Sequence, residues 1–300
     1  MSMKKNISDS LVIAGIGEVL WDVVADIETL GGAPINFAYH AAQLGATALA
    51  ISSVGDDERG KRAVSTLAKR GLATAHLTII EGAETGYVQA SVDPDGVASY
   101  VFPDEVAWDR IRIDSRTMSL VPQLDAVCFG SLAQRSVQSR SAIQRLLDSL
   151  QSTVLKVFDL NIRQSYYSTE VIRDSLEQAN VLKLNDEEII MLARQEDLQG
   201  SVEAKLRLLV ERYRLSLAAL TRGGHGSLLV SPTAISDHPG YQTELVDTIG
   251  AGDSFTAVTA VGVLRGYSLD VINERANRVA AHVCSRRGAM IPLPKELRKF

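Results

Sequence analysis

Apolar residues in this chain fall into short unbroken runs that alternate with longer stretches of helical spacing. Leu11-Val-Ile-Ala-Gly-Ile-Gly17 is continuous and apolar, as a strand buried on both faces of a parallel sheet requires. Runs of the same kind at Ala48–Val54, Ala126–Phe129, Val154–Leu160, Val181–Leu184, Ser216–Leu220 and Gly226–Ser231 predict further strands. Between them, helical periodicity marks Ile35–Leu44, stopped by Gly45, and Arg59–Arg70, closed by Gly71. It recurs over Ser136–Leu150, Glu170–Gln178, Glu187–Ala193, Val202–Tyr213, Phe255–Arg265 and Val271–Arg286. Strand–helix alternation of this length predicts an α/β fold: one doubly wound, mostly parallel central sheet flanked by helices, forming a single domain over 1–300.

Two segments break the alternation. Thr85–Val92 and Val97–Phe102 are β-rich and flank the turn signal Asp93-Pro-Asp-Gly96. Val23–Leu30 suits an outlying strand. Residues of about 18–31 and 85–106 are therefore expected to form a small β-sheet lid inserted in the main domain. Its exposed edge invites pairing into a homodimer. The termini, 1–10 and 295–300, are expected to be frayed.

Composition narrows the class. A hydrophobic content of 46% over 300 residues supports a large core, and a net charge of −5 argues against a nucleic-acid surface. No run reaches the roughly 18 apolar residues that a membrane span needs. Leu11–Trp21 contains Glu18 and lacks a cleavage site, so it reads as a first strand rather than a signal. Cys128 and Cys284 lie far apart in apolar surroundings, as in a reduced, cytoplasmic protein.

The chemistry concentrates at residues 247–257, Asp-Thr-Ile-Gly-Ala-Gly-Asp-Ser-Phe-Thr-Ala. Small residues at a helix start leave backbone N–H groups open to an anion, and the carboxylate of Asp253 stands directly against them. An anion hole of Gly250, Ala251 and Gly252 beside a carboxylate suits transfer of a phosphoryl group to a hydroxyl whose proton Asp253 accepts. Further along, Gly31-Gly-Ala-Pro-Ile-Asn36 precedes a helix and offers backbone access together with an amide donor and acceptor. Phe158-Asp-Leu-Asn-Ile-Arg163 closes a strand with polar groups, where α/β sheets bind ligands, and Arg163 can hold a phosphate or a sugar oxygen. Gly55–Arg62 nearly matches a phosphate-binding P-loop, but Arg62 replaces its hydroxyl residue, so the segment reads as a turn into a helix. The five histidines lack metal-ligand spacing, no Gly-x-Ser-x-Gly elbow occurs, and the dinucleotide Gly-x-Gly-x-x-Gly is absent.

The string from Asp247 to Asp253 resembles the Asp-Thr-x-Gly-Ala-Gly-Asp signature of the ribokinase family, the PfkB-type sugar kinases. Gly31–Asn36 resembles the family's first signature in its fructokinase-like form. Asp159–Arg163 resembles Asp-Pro-Asn-x-Arg with Leu160 in place of Pro. Asn185–Glu188 resembles Asn-x-x-Glu, and Thr221–Gly226 resembles Thr-x-Gly-x-x-Gly. The resemblance covers about residues 11–292 and implies an ATP-dependent carbohydrate kinase that phosphorylates a primary hydroxyl, with D-fructose the first candidate. It implies Asp253 as general base, with Gly32, Asn36 and Asp22 on sugar hydroxyls. It implies Asn185, Thr221, Gly223 and Gly226 near the nucleotide, and Asn277 near its base. It implies Mg²⁺ organised by Glu188 through water, and a monovalent cation such as K⁺ near Asp247, Ile249 and the carbonyls of 285–288. Ribose, 2-keto-3-deoxygluconate or a nucleoside is the alternative substrate; a non-catalytic sugar or nucleotide sensor and an NAD-type oxidoreductase are the rival classes.

Overall fold

The computed structural model describes residues 10–24, 27–92 and 98–299. Seven parallel strands form the body of a nine-stranded sheet: β1 (Val12–Ile16), β4 (Thr47–Gly55), β5 (Leu77–Ile80), β8 (Ala126–Gly130), β9 (Leu155–Asp159), β10 (Val181–Asn185) and β11 (Leu217–Thr221). Two antiparallel strands, β12 (Ser227–Val230) and β13 (Ile235–His238), extend one margin. The spatial order is β13-β12-β11-β10-β9-β8-β1-β4-β5. From β1 the chain steps outward through β4 and β5, then returns to place β8 on the other side of β1. The order reverses there, and ligands of doubly wound sheets bind at such a crevice.

Period-two alternation divides the strand side chains between two apolar layers. Ala14 and Ile16 face one core, whereas Leu11 and Ile13 face the other. The second layer is covered by α1 (Ala33–Gln43), α2 (Glu58–Lys69), α8 (Ala251–Leu264) and α9 (Leu269–Cys284). The first is covered by α4 (Val137–Ser149), α5 (Thr169–Gln178), α6 (Asp186–Gln195) and α7 (Val202–Arg212), with the short α3 (Ser115–Leu120) beside them.

A separate four-stranded sheet contains β2 (Leu20–Val24), β3 (Ile27–Gly31), β6 (Tyr87–Val92) and β7 (Ala98–Val101), in the order β3-β2-β6-β7. Segment 23–30, expected as one strand, instead holds the end of β2 and most of β3, which pair antiparallel. Leu20 pairs with Gly31 and Val24 with Ile27, so the chain reverses within the run. The turn expected at 93–96 lies outside the described residues.

Three other expectations are revised. β5 and β13 had no counterpart in the strand pattern; each is a four-residue strand at a sheet margin, too short to give a periodic signal. Helix α8 begins at Ala251, four residues before Phe255, so Gly252 and Asp253 belong to its first turn. Segment 295–298, expected to fray, is a short helix α10 (Lys295–Arg298) held by buried Leu297 and by Arg298 Nε donating to the Leu293 carbonyl at 2.7 Å.

The near P-loop is a turn and a helix, as expected. Asp57 caps α2 by accepting the Gly60 N–H at 2.7 Å, and also accepts from the N–H and hydroxyl of Thr85. Arg59 and Arg62 on α2 donate to Glu28 of β3 at 2.9 and 2.6 Å, and lie over the Tyr87 and Trp21 rings. These contacts join α2 to the small sheet.

Candidate active site

The first turn of α8 forms the floor of the crevice. Gly250, its N-cap, has φ 78°, and a β-carbon there would lie 2.6 Å from the Cα and carbonyl oxygen of Ala289. Only glycine fits that corner. The N–H groups of a first helical turn lack intrahelical acceptors; that of Ala251 contacts the Thr248 carbonyl at 3.3 Å, so the opening toward an anion lies at Gly252 and Asp253. The Asp253 carboxylate accepts from Asn36 Nδ2 at 2.8 Å. That bond joins α8 to α1 across 217 residues of sequence and aims the carboxylate at the α1 N-terminus. Asp253 is partly exposed, so the group reaches the crevice.

Around it stand the polar groups of the β1–β2 connection and the small sheet. A β-carbon on Gly31 would sit 3.0 Å from Asp22 Oδ2 and 4.0 Å from Asn36 Nδ2, so the bare glycine leaves these two side chains facing a common space. Gly32, at φ 119°, packs its Cα on the Glu18 backbone, where a side chain would meet the carbonyl at 2.2 Å. Buried Glu18 accepts the Ala33 N–H through Oε1 at 3.2 Å, while Oε2 has no hydrogen-bond partner. Burial pushes three carboxyls upward: Glu18 to about 7, Asp22 to about 6 and Asp253 to about 6. The charge of Arg163, in the connection after β9, opposes each rise. Asp22 is also raised by Asp247, so Asp22, Asp247, Arg163 and Asp253 share one electrostatic neighbourhood.

A second group lies along the strand ends toward β11. Asn185 and Glu188 form a capping box at α6: Asn185 Oδ1 accepts the Glu188 N–H at 2.8 Å, and Glu188 Oε2 accepts the Asn185 N–H at 2.8 Å. Glu188 Oε1 accepts the Ile162 N–H at 2.9 Å, fixing the loop that carries Arg163. Register places Asn185 beside Thr221. Gly223 and Gly226 adopt φ 54° and 78° in the turn after β11, and a β-carbon on Gly226 would lie 1.9 Å from the His238 carbonyl. Asn277 is turned inward: its Nδ2 lies within hydrogen-bond range of Ser227 Oγ and of the Asn273 carbonyls, so any contact with a base falls to its Oδ1. Asp247 accepts the Ile249 N–H through Oδ1 at 3.0 Å and the Gly288 N–H through Oδ2 at 2.9 Å, tying the signature loop to 285–288.

Between the two groups lies a residue that sequence reasoning passed over. Lys183, within the apolar run of β10, is buried and donates to Asp159 Oδ1 at 3.1 Å. Asp159 Oδ2 accepts from Thr256 Oγ1 at 3.1 Å. The signal available was a lysine flanked by two leucines in a strand read as fully buried, since such a charge demands a partner.

Residues 18–296 match the pfkB family carbohydrate kinase. A fructokinase of Salmonella typhimurium is 28% identical over 302 residues, covering 92% of this chain and 95% of the relative. A sugar kinase of Pyrococcus horikoshii, solved in complex with ATP, superposes with a TM-score of 0.81 at 28% identity and covers 96% of this chain and 99% of that one. The fructokinase of Vibrio cholerae, solved with fructose, ADP and calcium, has the same fold, with a TM-score of 0.78 at 22% identity over 95% of this chain and 96% of that one. The match over most of the chain defines a phosphotransferase acting on an alcohol. The chain belongs to the pfkB family and is a carbohydrate kinase.

Proposed function

We propose that the enzyme transfers the γ-phosphoryl group of ATP to the primary hydroxyl of D-fructose, giving fructose 6-phosphate, with Asp253 as general base. The observation that carries this reading is the Asp253 carboxylate in the first turn of α8, held by Asn36, whose amide borders the space left open by Gly31. Asp22, Gly32 and Asn36 orient the sugar. Asp253 takes the hydroxyl proton as oxygen attacks phosphorus, and the open amides of Gly252 and Asp253, with Arg163, stabilise charge on the transferring group. The small sheet acts as the lid that excludes water. Thr221, Gly223 and Gly226 flank the nucleotide, with Asn185 beside its phosphates.

Mg²⁺ brought by the nucleotide would supply charge neutralisation at the phosphates. Among the described residues no cluster of three or more His, Cys, Asp or Glu is placed to hold a metal. Both Glu188 oxygens already accept backbone N–H groups, so this carboxylate fits an ion met through water. Asp247 accepts one N–H on each oxygen and keeps lone pairs for a monovalent cation shared with Ile249 and the carbonyls around 285–288.

Support for fructose comes from Gly31-Gly-Ala-Pro-Ile-Asn36 and from the name of the Salmonella relative. ADP release measured over fructose, ribose, 2-keto-3-deoxygluconate and adenosine tests it; fructose is expected to give the highest kcat/KM, and a higher value for another compound replaces it. Asp253→Asn is expected to lower kcat at least about 10²-fold with the fold intact. Turnover near that of the wild type would remove Asp253 from the base role. Nucleotide binding with no ADP formed on any sugar would favour the sensor.

A further inference from the structure

Parallel register sets Lys183 of β10 opposite Asp159 of β9, and Lys183 is only 7% exposed. Its Nζ donates to Asp159 at 3.1 Å. The other oxygen of Asp159 receives the Thr256 hydroxyl, which is shared with the Gly252 carbonyl at 2.9 Å. A β-carbon on Gly252 would lie 3.0 Å from Lys183 Nζ, so the ammonium rests directly against the peptide that precedes Asp253. A salt bridge serving only the core would have no need to sit under the one helical turn that carries the reactive carboxylate, nor to reach it through Thr256.

We infer that Lys183 is a positioning residue for phosphoryl transfer: pinned by Asp159 against Gly252, its ammonium fixes the first turn of α8 and keeps the Asp253 carboxylate charged. The inference rests on the reading of Asp253 as base.

The groups around Asp253 come from every neighbouring element. Glu18 follows β1, Cys128 lies on β8, Asp159 ends β9 and Arg163 follows it, Lys183 lies on β10, and Asn36 stands on α1. His40, also on α1, is buried, held neutral and engaged with the Ala289 carbonyl. Burial first and Asp159 second raise Asp253; the Asn36 hydrogen bond, Lys183 and Arg163 oppose them. For Lys183, burial works against the charge, but Asp159, Glu188 and Asp253 outweigh it and carry the ammonium up to about 12. Lys183 therefore stays positive wherever the enzyme works. Without it Arg163 is the one cation left among these groups.

The test is the pH dependence of kcat/KM for the wild type, Asp253→Asn, Lys183→Met and Asp159→Asn. An active Asp253→Asn defeats the base reading, whatever Lys183 does. With Asp253→Asn inactive, Lys183→Met is expected to move the acid limb upward by about one pH unit, which alone lowers kcat/KM about twofold at pH 7 and is recovered toward pH 9, and to lower kcat severalfold on the plateau because the α8 turn is no longer fixed. Asp159→Asn, which removes a like charge, is expected to move the limb down. A folded Lys183→Met whose limb and kcat match the wild type, with only Tm reduced, overturns the inference. If Lys183→Met does not fold, the double variant Lys183→Met/Asp159→Asn removes the buried pair together and is compared with Asp159→Asn alone. A limb about one unit higher in the double variant supports the inference, and coincident limbs overturn it.

Discussion

Asp253, Asp22 and Glu18 hold protons more tightly in the folded protein than in an unfolded chain, because burial penalises their charge. Two consequences follow at this scale. Activity that needs an ionised Asp253 should fall off on the acid side near pH 6, a macroscopic value shared with Asp22 and Glu18. A kcat/KM profile that stays flat down to pH 5 would contradict this. Stability runs the other way. Between the unfolded values near 4 and the folded values of about 6 to 7, the native state binds more protons, so stability falls as pH rises through that window and the full penalty is present above it. Asp253→Asn removes one such penalty while Asn can still accept from Asn36. Its Tm is expected to exceed the wild-type value by about 2 °C or more at pH 8, and by less at pH 5. Calorimetric melts at the two pH values check it.

At the scale of elements, the two glycines of the signature do different work. Gly250 sits at positive φ against Ala289, so Gly250→Ala is expected to lower Tm by several degrees and to displace the α8 turn. Gly252 meets only the flexible end of Lys183. Gly252→Ala is expected to keep Tm within about 2 °C while lowering kcat, because it pushes the ammonium away from its seat. Thermal melts alongside turnover separate the two. Sequence reading reached the signature because Gly250 to Asp253 is local, and it reached the parallel strands because each is an unbroken apolar run. It placed the start of α8 four residues late because Gly-Ala-Gly carries no helical periodicity. It missed Lys183 because its partner, Asp159, lies 24 positions away along the chain, and only the strand register brings the two together. Glu18 was seen as a reason against a signal segment; its capping of Ala33 depends on a turn that the sequence does not specify.

For the whole molecule, the main sheet and the smaller one meet where β1 hands the chain to β2. No helix among the described residues is long and apolar enough to cross a membrane. The small sheet ends in β3 and β7, each paired on one side only among the described residues, and exposed Ile27 and Val101 lie on these outer strands. A homodimer joined through this sheet is therefore expected in solution. Sedimentation at micromolar concentration that returns a monomer of 32.4 kDa would refute it.

Glu28 gives that arrangement a mechanical sense. One carboxylate grips two arginines a single helical turn apart, and both guanidinium groups rest on aromatic rings of the small sheet. The sheet is thereby riveted to α2 from its β3 side, so any swing of it is expected to pivot there, with the β7 margin travelling furthest.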